Sequence, residues 1–277
     1  MNNSSRMPSG FYLGFSFLIF LLFFALTGPW FSQYTYYEIH LENKNLPPCS
    51  MHWFGTDDLG RDLFVRTCYG ARISLFVGVA AALIDVAFGI FWGGIAAYYG
   101  GMVDEVMMRI ADILYGLPYL LVVIMLMVIF GSGLIPIIIA MTVIGWITMA
   151  RIVRAQVLQL KQREFSLAAL SLGASPLRIL FSDLLPNTFG PIMVTMTLTI
   201  PSAIFTEAFL SFLGLGVQAP IASWGTMAND GLPAMQYYPW RLFFPSLFIS
   251  LTMFSFNIIG DSLRDRLDPH CFTKKIV

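Results

Sequence analysis

Charge is scarce in this chain: Asp, Glu, Lys and Arg make up 12% of its 277 residues, about half the share of an average soluble domain. The 16 basic and 16 acidic residues cancel, so the chain lacks the net positive charge typical of nucleic acid binding. No GxxxxGK[ST] segment is present, which excludes the loop that holds nucleotide phosphates. With 57% hydrophobic residues, the chain is expected to lie in a membrane.

Residues that bind metals are also few. The chain has three cysteines and three histidines: Cys49, Cys68, Cys271, His40, His52 and His270. Their spacing matches no metal-binding motif, so we expect no metal site and interpret the histidines as solvated or structural. A disulfide between Cys49 and Cys68 stays open. An intramembrane enzyme would need a nucleophile and base, or a metal triad, at membrane depth, and no apolar segment contains a histidine.

What the chain has in abundance is long apolar segments. A hydrocarbon core about 30 Å thick needs roughly 20 apolar residues in helix. Six segments meet or approach that length: 11–31, 73–99, 110–130, 134–150, 188–213 and 242–259. The first is longer than the apolar core of a signal peptide and lacks a small-residue cleavage site, so we expect it to be retained. The sequence therefore predicts an all-α integral membrane protein with six transmembrane helices.

Basic residues predict the orientation, since they favour the cytoplasmic side of a membrane. Six spans place both termini on one side. If that side is the cytoplasm, the inner residues are Arg6, Arg109, Arg151, Arg154, Lys161, Arg163, Arg178, Arg264, Arg266, Lys274 and Lys275. The outer ones are the smaller set Lys44, Arg61, Arg66, Arg72 and Arg241. Both termini are thus expected in the cytoplasm.

A charged amphipathic stretch, residues 163–186, separates the fourth and fifth spans and is too polar to cross a bilayer. A helix is expected to end at Gly173, because glycine readily adopts the left-handed conformation that closes helices. A second helix can begin at once, with Ser175 accepting hydrogen bonds from its first amides and Pro176 in its first turn. Pro186 is expected to stop it. We call residues 163–186 the hairpin.

The hairpin resembles the cytoplasmic "EAA" loop of permease subunits of bacterial ABC importers. The residues that match its pattern, at the right spacing, are Ala168, Ala169, Gly173, Leu185 and Pro186. Leu167 stands where that family usually has glutamate. Glu164 lies one helical turn earlier, which places a carboxylate near the same surface.

Four more blocks carry a resemblance to the C-type permease of dipeptide, oligopeptide and nickel importers. The first, GTDDLGRD, contributes Gly55, Thr56, Asp57, Gly60, Arg61 and Asp62. The others are YYGGMVDEVMMRIADI, EAFLSFLGLGV with the SWGTM that follows it, and FNIIGDSLRDRLDP. Two interpretations of GTDDLGRD stay open. Thr56 and Asp57 cap a helix while Arg61 pairs with a carboxylate, or the block contacts a binding protein.

The resemblance implies a MetI-like ABC importer permease fold in a bacterial inner membrane and a subunit without catalysis or cofactor. It implies four kinds of partner: a B-type permease, two cytoplasmic ATPase subunits that bind ATP and Mg²⁺, an extracytoplasmic solute-binding protein and membrane lipid. The hairpin would dock on an ATPase through Arg163, Glu164, Phe165, Leu167, Ala168, Ala169, Leu170, Gly173, Ala174, Ser175, Leu185 and Pro186. Di- or oligopeptides are the expected solute, moved by alternating access; nickel or another small solute is the alternative.

The chain is expected to divide into three parts. Residues 1–72 form an anchor helix with a periplasmic segment, residues 73–269 form the permease core, and residues 270–277 form a cytoplasmic tail.

Two carboxylates fall in the interior of the apolar segments, where charge is costly unless it faces protein or water. They are Asp85 and Glu207. Three roles stay open for each: pairing within the protein or with a second permease, lining of the solute pathway, and proton relay. The last is the basis of an alternative function, a proton-coupled secondary transporter that needs no ATPase.

Overall fold

The computed structural model describes residues 9 to 267, and these are helical nearly throughout. Within that range there is no β-strand, only an isolated bridge between Thr56 and Asp62. The predicted all-α class is confirmed. Arg6 and the predicted tail 270–277, with His270 and Cys271, lie outside the described residues.

Within residues 9 to 267, ten α-helices follow one another in chain order. The first five are α1 (Ser9–Thr27), α2 (Leu63–Tyr99), α3 (Gly101–Tyr115), α4 (Tyr119–Phe130) and α5 (Leu134–Lys161). The others are α6 (Glu164–Ser171), α7 (Pro176–Arg178), α8 (Phe189–Phe212), α9 (Trp224–Gly231) and α10 (Trp240–Leu267). A π-helical segment and four short 3₁₀ segments complete them: Ile179–Leu184, then Gly28–Phe31, Leu41–Asn43, Leu185–Thr188 and Leu232–Ala234.

Five helical segments in the described chain are long and apolar enough to cross a membrane. They contain α1, α2, α5, α8 and α10. The predicted span 110–130 is not one straight helix, because α3 and α4 meet at an angle of 82°. The break follows from Pro118, since the residue before a proline is driven out of helical geometry. Counted as one broken span, α3 and α4 bring the number to the predicted six.

Two helices continue well beyond the apolar segments that predicted them. Helix α2 begins at Leu63, ten residues before the predicted start, because the carboxylate of Asp62 accepts a hydrogen bond from the Val65 amide and caps it. Helix α5 continues to Lys161, eleven residues past the predicted end. Hydropathy marks where lipid surrounds the chain, whereas a helix ends only where its hydrogen-bond ladder does.

Helix α2 lies at the centre of the bundle and packs mainly against α5 and α8. Its close approach to α5 depends on glycine: a Cβ on Gly93 would overlap the Ala150 carbonyl, and one on Gly89 would lie 2.5 Å from Cγ of Met149. Small residues allow such contact between membrane helices. The bundle therefore holds α2 and α5 as one rigid pair, from whose end the hairpin emerges.

Candidate coupling hairpin and intramembrane cavity

The first arm of the hairpin is α6, and it ends as the sequence predicts. Gly173 has φ +78°, its amide donates to the Leu170 carbonyl at 3.0 Å, and the Ala174 amide donates to Ala169 at 3.1 Å. These two bonds form a Schellman motif, which satisfies carbonyls left free at a helix end. No atom lies within 4 Å of a Cβ built on Gly173. Backbone conformation, and not space, therefore requires glycine here.

The second arm differs from the prediction in two respects. It does begin at Pro176, but the Ser175 side chain makes no capping hydrogen bond. Pro186 does not stop the helix, because the π-helical segment gives way to a 3₁₀ turn in which Pro186 occupies an early position. A proline lacks only an amide that is unpaired there anyway. The arm therefore continues directly into α8, and residues Pro176–Phe212 form one continuous segment.

One face of the hairpin is packed against the bundle. Ala169 of the first arm and Ala174 of the turn contact a buried cluster built from α2, α5, α8 and the second arm. Leu180 and Leu184 of the second arm lie within that cluster. The hairpin is consequently fixed to the end of the α2–α5 pair, so a force on it acts on the membrane helices.

The hairpin also exposes several large apolar side chains. Among the predicted docking residues, Phe165, Leu167 and Leu170 are all exposed. Sequence reasoning missed three further members of this surface: Leu172, which is 88% exposed, Leu177 and Phe181. Their signal was present, since each is a large apolar residue in a stretch too polar for lipid. We call these six residues the apolar hairpin face. Large exposed apolar side chains in a segment too polar for lipid favour a surface for a protein partner.

Ion pairs fix α3 beside the hairpin end of α5. The Arg154 guanidinium makes a bidentate contact with Asp104, at 2.5 and 2.6 Å. Arg151 contacts Asp112 at 2.9 Å. Lys161 donates to the Tyr98 carbonyl of α2 at 2.5 Å. The basic residues that predicted the cytoplasmic side thus also join three helices.

At the other end of the bundle, the GTDDLGRD block is buried and internally bonded. Both oxygens of Asp57 contact Arg61, through its amide at 2.9 Å and its Nε at 2.6 Å. The helix that follows is capped by Asp62, and not by Thr56 or Asp57 as predicted. The expected pairing of Arg61 with a carboxylate is confirmed.

Thr56 has a different role from the predicted cap. Its hydroxyl donates to the Asn43 carbonyl at 2.5 Å and accepts from the Leu46 amide at 2.8 Å. Gly55 and Gly60 both have positive φ, +79° and +74°, which glycine adopts without strain. The block therefore folds the segment before α2 into a compact cap on the bundle.

Two arginines from α2 and α10 connect α9 to this cap. The Arg66 guanidinium of α2 lies 3.5 Å from Asp57 of the cap and 3.9 Å from Asp230 of α9. Arg241 of α10 donates to the Asp58 carboxylate at 3.1 Å and to the Asp230 carbonyl at 3.0 Å. Burial raises the pKa of Asp230 above its usual value, while Arg66 and Arg61 oppose the rise. The cap and α9 are therefore joined through arginines of α2 and α10.

Cys49 and Cys68 are both free, so the disulfide between them does not form. His52 is buried and its Nδ1 lies 2.8 Å from Asp62, which agrees with a structural interpretation of this histidine. In the described part of the chain, no group of three metal-ligating side chains comes together.

Glu207 lies at a joint between helices. It is fully buried, and its oxygens accept hydrogen bonds from Ser74 of α2 at 3.0 Å and Ser211 of α8 at 2.7 Å. Ser211 also lies 3.4 Å from Ser223, the N-cap of α9. The carboxylate thus connects α2, α8 and the start of α9.

Asp85 has different surroundings. It lies on the wall of a cavity of about 760 Å³ between α2, α5, α8 and the α3–α4 break. Its Oδ1 has no hydrogen-bond partner among the described residues. The sequence does not distinguish the two intramembrane carboxylates. In the structure, Glu207 is hydrogen-bonded between helices, whereas Asp85 lies on the wall of a cavity.

Residues 9 to 267 form a bundle with at least five helical segments that are long and apolar enough to cross a membrane. An apolar hairpin is exposed at one end of this bundle. This is the architecture of a membrane permease. The chain belongs to the family described as the binding-protein-dependent transport system inner membrane component, whose model matches residues 87–272. A second model, the N-terminal TM domain of oligopeptide transport permease C, matches residues 9–48. The protein is therefore a multi-pass inner-membrane permease subunit of an ABC importer and not an enzyme.

Curated relatives support this assignment over most of the chain. An oligopeptide transport system permease protein of Bacillus subtilis (strain 168) is 61% identical over 257 residues, which cover 93% of this chain and 84% of the relative. A dipeptide transport system permease protein of the same organism is also 61% identical, over 92% of this chain and 80% of its own. Family membership favours an ABC permease over the alternative of a proton-coupled secondary transporter.

Solved structures agree on the fold. A chain of the MetNI methionine ABC transporter, in an inward-facing conformation, superposes with a TM-score of 0.59. The match covers 71% of this chain and 94% of the other at 17% sequence identity. The predicted MetI-like fold is confirmed.

Proposed function

We propose that this chain forms one half of the membrane pore of an ATP-driven importer of di- and oligopeptides. The relatives of highest identity cited above are named for peptide transport, and their similarity extends over more than nine tenths of this chain. A B-type permease supplies the other half of the pore. A solute-binding protein delivers peptide on the outside, and two ATPase subunits bind ATP and Mg²⁺ in the cytoplasm.

The hairpin is the contact with one ATPase subunit. Its apolar face, defined above, has no partner within the described chain, and burial of such a face on a protein groove provides binding energy. Ala168 and Ala169 allow close approach, while Arg163 and Glu164 set orientation at the edge. The exposed apolar side chains of the hairpin, a segment that the basic residues predict to lie on the cytoplasmic side, are the observation on which the proposal depends.

The direction in which force passes follows from the packing of the hairpin. Ala169 and Ala174 join it to the cluster between α2, α5 and α8, and the second arm continues into α8 without a break. Closure of the ATPase pair on ATP would therefore displace α8 and the α2–α5 pair together. Such rigid-body motion between two states is the usual basis of alternating access.

The proposed topology places the hairpin in the cytoplasm and the GTDDLGRD cap outside. It requires α3 and α4 to act as one broken span, so that both termini are cytoplasmic. The excess of basic residues on the hairpin side supports this orientation. The cap, residues Gly55–Asp62 with α9, is then the surface that faces the binding protein, and residues 1–72 form an anchor and outer segment attached to the permease core.

Cysteine cross-linking in the assembled transporter tests the docking. Leu172→Cys, in a background without the native cysteines, is combined with single cysteines around the groove of the ATPase subunit. We expect a cross-link whose yield changes when ATP is added. Met51→Cys is the matched control, since Met51 is 71% exposed at the other end of the bundle. No cross-link from Leu172, or an equal yield from Met51, would refute the docking.

A further inference from the structure

The cavity that contains Asp85 has an unusual polar group on its wall. The Asp85 side chain is only 6% exposed, yet its Oδ1 meets no hydrogen-bond donor within residues 9 to 267. A charged carboxylate at membrane depth is costly unless it faces protein charge, water or a ligand. The Asp85 carboxylate is therefore a group whose partner is not supplied by this chain's described residues.

The facing wall, on α8, offers acceptors. Thr195, Thr199, Ser202 and Thr206 follow helical spacing and all line the cavity. Each hydroxyl already donates its hydrogen to the carbonyl four residues back, at 2.9, 2.9, 3.3 and 2.9 Å. A hydroxyl has one hydrogen and two lone pairs. With the hydrogen used, each hydroxyl oxygen can only accept further hydrogen bonds, and at Thr206 the Tyr119 hydroxyl already uses part of that capacity.

Positive charge is absent from the same wall. No Lys, Arg or His is among the described residues that line the cavity. A carboxylate together with acceptor hydroxyls favours a ligand that carries N–H donors and a positive charge. A protonated amine has both properties, and an anion has neither.

Gly145 of α5 makes room for the carboxylate. A Cβ at this position would lie 2.6 Å from Oδ2 and 2.8 Å from Oδ1 of Asp85. The side chain consequently rests against the bare backbone of α5, where any other residue would displace it. The position of the charge in the cavity is thus set by α2 and α5 together.

We propose that Asp85 binds the protonated α-amino group of the solute during its passage through the membrane. This inference rests on the proposed function, because it assumes a solute with a free amino terminus. Asp85 thereby contributes to selectivity inside the pore, in addition to the choice made by the binding protein. The contact is transient, since a solute must also leave.

Thiol labelling tests the charge of the cavity without any peptide. Thr148 lines the cavity and is exposed to it, so Thr148→Cys is made with Cys49, Cys68 and Cys271 replaced by serine. Its rates with 2-aminoethyl and 2-sulfonatoethyl methanethiosulfonate, each normalised to free cysteine, are compared in the assembled transporter. Asp85→Asn is expected to lower the cation-to-anion rate ratio about tenfold or more, since removal of a nearby unit charge has a large effect at low dielectric.

Two controls accompany the labelling. Met51→Cys, 71% exposed at the other end of the bundle, should show a ratio that Asp85→Asn does not change. Asp85→Glu should retain the high ratio at Thr148→Cys, and Asp85→Ser replaces the Asn variant if that variant is poorly inserted. An unchanged ratio at Thr148→Cys would overturn the inference. So would the absence of labelling in the assembled transporter, because a second permease would then cover Asp85.

Uptake separates this inference from the proposed function. At equal membrane abundance, Asp85→Asn is expected to reduce uptake of radiolabelled dialanine at least tenfold, and Asp85→Glu to retain most of it. If the wild-type transporter carries dialanine and the Asn variant carries it equally well, the inference fails and peptide import stands. If the wild type carries no peptide, peptide import fails, and the labelling ratio alone decides whether the cavity prefers cations.

Discussion

The turn at Gly173 provides the sharpest test of the hairpin as a coupling element. Gly173 has φ +78°, a conformation that costs other L-residues roughly 1–2 kcal/mol. Nothing lies within 4 Å of the position of a new Cβ, so Gly173→Ala adds this backbone cost and no steric clash. One to two kcal/mol shifts a local equilibrium about 5- to 30-fold. The correctly closed α6 should therefore lose most of its advantage over frayed conformations.

The substitution should affect the coupling of ATP hydrolysis to uptake and not the insertion of the protein into the membrane. The large apolar side chains of α6 and of the turn, such as Phe165 and Leu172, are exposed, so a change in this turn leaves the buried core unaltered. We expect Gly173→Ala to reach normal membrane abundance, hydrolyse ATP when assembled, and import several-fold less peptide per ATP. Gly173→Val should be more severe, since β-branched residues tolerate positive φ poorly. Peptide uptake and phosphate release are measured on the same proteoliposomes.

Two variants control for the conformational argument. Gly173→Asn adds a larger side chain but tolerates the left-handed conformation, so it should stay near the wild type. Gly116→Ala changes a glycine with ordinary helical φ of −71° and should also be close to neutral. Normal coupling in Gly173→Val at equal abundance would refute the reasoning. Equal losses in the Asn and Val variants would show that bulk, and not backbone conformation, is what the turn excludes.

Three further predictions concern single contacts. Leu167→Glu should leave uptake close to that of the wild type, because glutamate is the usual residue at this position in the family's loop; complete loss of uptake would indicate an atypical ATPase groove. Glu207→Leu leaves two serine hydroxyls without their acceptor and should destabilise the protein by about 1–3 kcal/mol, measured as a lower Tm in detergent. Glu207→Gln should retain most of the stability. Equal losses in the two variants would show that the hydrogen bonds of Glu207 do not hold the helices together. Asp104→Arg should impair assembly, because the new arginine would repel Arg154. The double variant Asp104→Arg with Arg154→Asp should restore assembly. If it does not, the ion pair is not what fixes α3.

Local residue patterns in the sequence predicted much of this structure. The apolar segments predicted six spans, because burial in lipid depends on composition over about 20 residues. Five of these spans fall on continuous helical segments, and the sixth, 110–130, falls on the pair α3 and α4, which is bent by 82°. The end of α6 at Gly173 and the start of the second arm at Pro176 were also predicted, since both depend on local backbone preferences. The end predicted at Pro186 was wrong. A proline is compatible with a helix that changes its hydrogen-bond pattern just before it, and no sequence pattern near Pro186 indicates that change.

The sequence by itself established the membrane class, the hairpin and the resemblance that family comparison confirmed. It did not separate Asp85 from Glu207, since both are acids within apolar segments. Only the tertiary structure did so, by placing serines from two helices on Glu207 and a cavity with acceptor hydroxyls opposite Asp85. The physical reason is that a buried charge is defined by its neighbours in space, and these neighbours come from helices more than 100 residues apart in the chain.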